Sequence, residues 1–316
     1  MSRMKKGEKY SSFPLGIYVL LLVMIIVFAI STQGSVSMTH LLNIARSAAP
    51  LGIVAVGQTM VLLVGGLDLS LGTCMSMTNL ILASMMNGSS SRAPQAILIS
   101  MLICALVGFC NGLIITKFKM QPFLVTMAMS LVVQGGYYIY TQGIARGSIA
   151  EEIRFISEGW IGIIPVAVII WCAFWLILSF VLHKTVYGKK LYLTGSSQQA
   201  AKLSGFQADK IVISVYMIAS MLACVAGIML SAYIGVGSVD IGNSYTLDSI
   251  ASSVIGGVAF TGGIGSLEGT FPGVLIITIL SSLMTILGIS EAGKFICQGT
   301  IIAVMVAINQ VKMKNN

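Results

Sequence analysis

The chain has 316 residues, 56% of them hydrophobic and only 9% charged, with 18 Lys and Arg against 10 Asp and Glu. Ordinary soluble domains are about one quarter charged, so this composition excludes most soluble enzymes, nucleic-acid-binding domains and disordered proteins. The net charge of +8 is read by position rather than by sum in a membrane protein.

A basic start, Arg3, Lys5, Lys6 and Lys9, precedes an apolar run over 13–30. No small-x-small cleavage site follows it, so it reads as an uncleaved first transmembrane helix rather than a signal peptide. A bilayer core takes about 20 apolar residues as a helix. On that measure the chain divides into ten spans, at 13–32, 44–65, 70–87, 94–116, 122–141, 161–182, 211–233, 247–262, 269–288 and 293–310. Gly and polar residues interrupt the second, third and eighth. The expectation is therefore an all-α polytopic membrane protein of eight to ten spans with broken or short helices.

The charges test this division. With the N-terminus inside, Arg3, Lys5, Lys6, Lys9, Lys117, Lys119, Lys184, Lys189, Lys190, Lys202, Lys210, Lys312 and Lys314 fall inside. Arg46, Arg92, Arg146, Arg154 and Lys294 fall outside, a division of 13 to 5. Cytoplasmic loops carry such an excess. The organisation is then a basic cytoplasmic tail at 1–12, one transmembrane domain at 13–310, a long cytoplasmic loop at 183–210 and a cytoplasmic tail at 311–316, both termini inside.

The six Cys lie in apolar stretches without metal spacing, and His40 and His183 are far apart, so the expectation is no metal. The stretch from Gly288 to Phe295 nearly spells a phosphate loop but lacks its final Ser/Thr and a preceding strand.

Several polar positions stand out. Asp68 lies in Val64-Gly-Gly-Leu-Asp-Leu-Ser-Leu-Gly72, between apolar runs. A carboxylate at membrane depth is costly, and Asp68 reads either as a cap and loop-fixer for the helix opening at Ser70 or as part of a transport path. Asp248 and Glu268 read as caps beside span ends. Gln58, Asn79, Asn111 and Gln134 are intramembrane amides, either interhelical ties or points on a polar path for a hydroxylated solute. An internal echo aligns the segment 65–73 with 262–270, through Gly65, Gly72 and Thr73 against Gly262, Gly269 and Thr270, with Gly66 against Gly263. Both copies fall between two spans on the inner side, and transporters are often built from such repeats. In the long loop, Ser197 to Gly205 reads as a short helix ended by Gly, either lying at the inner leaflet or docking a partner.

The segments Gly65 to Gly72, Asn111-Gly112-Leu113, Gln121 to Thr126, Gly195 to Phe206, Tyr245 to Gly257 and Thr261 to Gly269, in this order, resemble the permease subunit of bacterial ABC importers of the ribose/galactose/xylose type. The resemblance covers nearly the whole chain. It implies a permease that is not itself an enzyme, working as a homodimer or heterodimer in the inner membrane. The implied partners are a periplasmic or lipid-anchored sugar-binding protein and a cytoplasmic ABC ATPase, which holds ATP and Mg. No cofactor is implied for this chain, and no nucleic acid. The implied solute is a monosaccharide: a pentose such as ribose, a hexose, or an autoinducer-2-like sugar, moved by alternating access. Gln199-Ala200-Ala201-Lys202-Leu203-Ser204-Gly205 occupies the family's ATPase-docking pattern, with Gln199 where Glu is usual. The signature and path candidates are Gly65, Gly66, Asp68, Ser70, Gly72, Asn79, Asn111, Gln134, Asp248, Gly262 and Gly263. The competing readings are an ion-coupled secondary transporter, and the same machinery for nucleosides or branched-chain amino acids.

Overall fold

A computed structural model describes residues 15–31, 37–290, 292–297, 299–301 and 303. Tails 1–12 and 311–316 lie outside the described residues, as does half of the expected tenth span. Twelve helices are named: α1 (Leu15–Ser31), α2 (Met38–Leu63), α3 (Leu71–Met86), α4 (Ala93–Phe118), α5 (Pro122–Thr141), α6 (Glu151–Glu158), α7 (Val166–Lys184), α8 (Val186–Ser196), α9 (Gln198–Leu203), α10 (Ala208–Ile234), α11 (Asn243–Ile255) and α12 (Leu267–Ile286). A helix stands at each of the nine expected spans that the described residues cover. Six of them, α2, α4, α5, α7, α10 and α12, are long and apolar enough to cross a bilayer, while α1 and α3 are shorter apolar helices.

Three segments differ from expectation. The eighth span is α11, which starts earlier and ends at Ile255, because the glycines after it turn the chain: Gly257, Gly262 and Gly263 all have positive φ. The sixth begins only at Val166, after a small antiparallel hairpin pairing Trp160 with Pro165 and Ile161 with Ile164. Residues 183–210 hold, besides the expected short helix α9, a further helix α8 packed on the bundle through buried Leu191 and Thr194.

The bundle is organised around α10. Lipid supplies no hydrophobic drive between helices, so close approach at small residues does the work. A Cβ on Gly57 of α2 would lie 3.0 Å from the Ala219 backbone, and on Gly112 of α4 it would lie 2.6 Å from that of Ile213. Gly108 of α4 abuts the Tyr216 carbonyl, and Gly227 of α10 abuts Met75 of α3. On α4 and α5, Leu98, Leu102, Leu106, Leu131, Val132 and Ile139 are exposed, as lipid-facing positions should be.

Residues 235–242 form an irregular stretch between α10 and α11 that runs along α3. Gly237 meets Ala83, while Gly242 sits against Gly72, Met75 and Ser76. Unpaired backbone there is expensive unless the protein satisfies it. Asn79 does so with one amide: Nδ2 donates to the Val236 carbonyl at 3.2 Å and to Ser231 Oγ at 3.0 Å, and Oδ1 accepts from the Ser238 N–H at 2.7 Å. Ser76 Oγ accepts the Gly242 N–H at 2.8 Å. Asn79→Ala strips three hydrogen bonds from a buried site, and is expected to lower stability by about 2 kcal/mol. The melting temperature in detergent is the check, and an unchanged value would deny Asn79 this role.

Candidate functional site

At one end of the bundle three segments meet through glycine. The Gly263 N–H donates to the Leu63 carbonyl at 2.9 Å. A Cβ on Gly195, in the last turn of α8, would fall 1.8 Å from that same carbonyl, and one on Gly262 would fall 2.7 Å from the Gly65 nitrogen. The two copies of the internal echo thus lie against each other, with α8 wedged between them. Gly65 and Gly262 share positive φ, at 77° and 82°, and Gly72 and Gly269 each open the following helix. Side chains of α1, α7 and α8 fasten the second copy. Tyr18 hydroxyl donates to the Glu268 carbonyl, Trp175 Nε1 to that of Leu267, and Tyr192 hydroxyl to that of Gly265 at 2.9 Å. Burial, then the charge of Glu268, pushes the Tyr192 phenol up to about 12, so it stays a donor. Glu268 Oε1 accepts from Ser179 Oγ at 2.6 Å and lies 3.5 Å from His183 Nδ1, tying α7 to α12 through its side chain.

Asp68 lies in the α2–α3 loop and is 0% exposed. Its Oδ1 accepts from Ser70 N–H at 2.8 Å and Ser70 Oγ at 2.6 Å, and Asn111 Nδ2 donates to that Oγ at 3.0 Å. Asp68 Oδ2 and Asn111 Oδ1 are buried without a hydrogen-bond partner. Burial raises the Asp68 carboxyl and the Ser70 donors pull it back. The carboxylate therefore fixes the loop two residues ahead, as Asp does in turns, rather than capping the first turn of α3. Thr126 Oγ1 and Tyr216 hydroxyl close the same loop by donating to the Leu67 carbonyl, at 3.1 and 3.5 Å. A Cβ on Gly66 would collide with that Tyr216 hydroxyl.

Toward the opposite end, a cavity of about 300 Å³ opens between α2, α11, α12 and the segment around Lys294. Ser47, Ser244, Thr278, Ser281, Ser282 and Thr285 line it with hydroxyls, together with Tyr245, Asp248 and Lys294. On α12 the hydroxyls fall at 278, 281, 282 and 285, the spacing of one helical face. A smaller cavity of about 220 Å³ shares Ser47 and Tyr245 and includes Arg46, whose guanidinium lies 5.7 Å from the Tyr233 ring centre.

A protein-family profile described as "branched-chain amino acid transport system / permease component" matches residues 40–305. The ribose import permease of Bacillus subtilis (strain 168) is 33% identical over 300 residues, which span 94% of this chain and 93% of that protein. The chain belongs to this permease family. The galactose/methyl galactoside import permease of Haemophilus influenzae is 29% identical across 96% of this chain and 97% of its own length. The fructose import permease of Rhizobium meliloti is 29% identical across 84% and 76%. No solved structure gives a significant match. The permease is a multi-pass protein of the bacterial inner membrane, and its family supplies the membrane subunits of ABC sugar importers, which act with an ATPase and a binding protein.

The candidates read from the sequence separate into four places. Gly65, Gly262 and Gly263 form the glycine junction, while Gly66, Asp68, Ser70 and Asn111 build the loop beside it. Gly72 and Asn79 hold the irregular segment, and Gln134 Nε2 donates to Asp240 Oδ1 at 3.2 Å, where the Tyr137 hydroxyl also donates, while the Tyr138 hydroxyl donates to Oδ2. Asp248 alone lines the larger cavity. It lies in the second turn of α11, which begins at Asn243, so the expected role at a span end is corrected. Glu268 likewise acts through α7 rather than as a cap. In α9 and the turn after it, Gln199, Ser204 and Gly205 are exposed, Leu203 is 89% exposed, Ala200 is half-buried and Ala201 is buried. The Lys202 side chain lies outside the described residues. Sequence reading missed the cavity hydroxyls, although their helical spacing on α12 was a usable signal. Asp68→Ala should cost about 2 kcal/mol by leaving the Ser70 donors unmet, whereas Asp68→Asn keeps an acceptor and most of the stability. Thermal unfolding of both variants in detergent is the check, and equal losses would refute the loop-fixing role.

Proposed function

We propose that this permease carries a monosaccharide through the cavity walled by α2, α11 and α12, by alternating access driven by a separate ATPase. The hydroxyl stripe Thr278, Ser281, Ser282 and Thr285, opposite Ser47 and Ser244, carries the reading. Hydroxyls both donate and accept, so they exchange hydrogen bonds with a sugar in many orientations. That suits a path which must bind weakly enough to release. The ribose, galactose and fructose import permeases among its relatives support the sugar class. In this reading the chain makes ten spans with both termini in the cytoplasm, and a second permease copy, identical or not, completes the path. The binding protein delivers the solute at the cavity end.

The contact with the ATPase is α9. Ser197 caps it by accepting from the Ala200 N–H at 3.2 Å, and Gly205 ends it at φ 79°. Buried Ala201 anchors this short helix, so its outer face, Gln199 and above all Leu203, is what a partner meets. With Gln199 in place of Glu the contact is hydrophobic rather than ionic. ATP and Mg bind on the ATPase, and this chain binds no cofactor.

An amino-acid solute is the competing reading, because Asp248 and Lys294 also line the cavity and would suit an ammonium and a carboxylate. Reconstituted with its ATPase and binding protein, the permease is expected to accumulate labelled monosaccharide and not labelled leucine. The reverse would overturn the sugar assignment. Ser281→Ala and Ser282→Ala should each slow transport about fivefold, the equivalent of about 1 kcal/mol for one hydrogen bond; unchanged rates in both would remove the stripe from the path. Leu203→Glu should release the ATPase from the purified complex, and its retention would refute docking at α9.

A further inference from the structure

The three helices that wall the cavity are also the three whose ends meet at the glycine junction. Helix α2 ends at Leu63, α11 ends at Ile255, and α12 begins at Leu267 after the loop carrying Gly262 and Gly263. On α12, Leu267 and Ser282 are 15 residues apart, about 22 Å at 1.5 Å per residue. From outside, α8 touches the end of α2 and the loop that joins α11 to α12, and only Ser197 separates it from α9. Gly195 presses its bare Cα on the Leu63 carbonyl and the Gly263 nitrogen, and the Gly195 carbonyl lies beside Gly262. Gly263 in turn packs on Ser196, nearest its Oγ and then its backbone. Where Gly195 meets Leu63, Gly262 and Gly263 the facing atoms are all backbone, so no rotamer absorbs a displacement there. Backbone pressed on backbone in packed interiors transmits strain rather than dissipating it. Tyr192 adds a hydroxyl strut from α8 to the Gly265 carbonyl.

We infer that the Gly195 junction is the coupling point through which movement of α9 reaches the cavity, with Gly195 as a positioning residue and Tyr192 as its strut. A displacement of α8 pushes the end of α2 and the α11–α12 loop together, and three cavity walls swing on one pivot. This rests on reading α9 as the ATPase contact. The same pivot includes Gly65, so the Asp68 loop and the start of α3 move with it.

The test uses the permease purified with its ATPase in nanodiscs. Cys110, Cys172 and Cys297, the cysteines that are not buried, are replaced by Ser, and Ser282→Cys serves as reporter. The readout is the rate at which a membrane-impermeant maleimide labels it, with and without ATP and vanadate. ATP should change that rate in the reporter protein. Gly195→Ala should abolish the change while the ATPase still co-purifies and hydrolyses ATP. An ATP response that survives Gly195→Ala, or is absent from the reporter protein itself, overturns the inference. Loss of the ATPase from the Gly195→Ala complex also overturns it, by making Gly195 a docking residue. Should Gly195→Ala fail to insert, Tyr192→Phe decides, since it removes one oxygen and adds no bulk. A diminished ATP response is expected, and an unchanged one refutes the coupling role. Failure of the docking reading appears separately, as Leu203→Glu retaining the ATPase.

Discussion

Irregular backbone inside an apolar bundle must find every hydrogen bond within the protein, and the rest of this structure depends on how that demand is met. Two non-helical segments pack against the bundle's helices, 64–70 and 235–242. The first is held by its own Asp68 and Ser70 and by Thr126 and Tyr216 from packed helices, the second by Asn79 and Ser76 of α3. Water cannot supply these bonds in hydrocarbon, so non-helical backbone persists only where the protein replaces it. The polar residues that looked like a solute path are therefore mostly the means by which the helices are allowed to break.

Breaking the helices has a mechanical consequence. A continuous helix resists bending, whereas a short helix such as α11, flanked by Gly242 and Gly256 and followed by Gly257 with positive φ, can tilt as a rigid piece. The cavity is walled by that short helix and by α2 and α12, and all three converge on the loops that α8 touches. Rigid elements and glycine pivots thus alternate from the exposed α9 to the hydroxyl-lined cavity. This is the division of labour expected of a permease whose energy comes from another subunit.

Much of the fold was legible in one dimension. Apolar run length placed nine helices, since a membrane imposes a length and an apolarity that sequence displays directly. Ser197 and Gly205 marked α9, because capping and positive φ are local properties. The resemblance carried by the Gly65 to Gly72 and Thr261 to Gly269 segments agreed with the family comparisons. Errors fell where polar residues have two possible employments. From the sequence Asp248 reads both as a cap and as a path candidate, and the cap reading fails because α11 starts four residues before the expected span. Asn79 read equally as path or tie, and only its three partners on 231–238 decide for the tie. The 183–210 segment hid α8, whose apolar content is too small to stand out from a basic loop.

By itself, then, the sequence determined that the chain lives in a membrane, roughly where its helices run, and which loops carry glycine where ordinary residues would be strained. These are set by solvent and by local backbone sterics, which act within a few residues. Tertiary structure decided that Gly65, Gly195 and Gly262, scattered over nearly two hundred positions, touch, and that the hydroxyls of α12 face those of α2 and α11. Contacts between distant segments depend on which small faces can approach most closely, and in a chain with 34 glycines many pairs qualify on paper while packing selects a few.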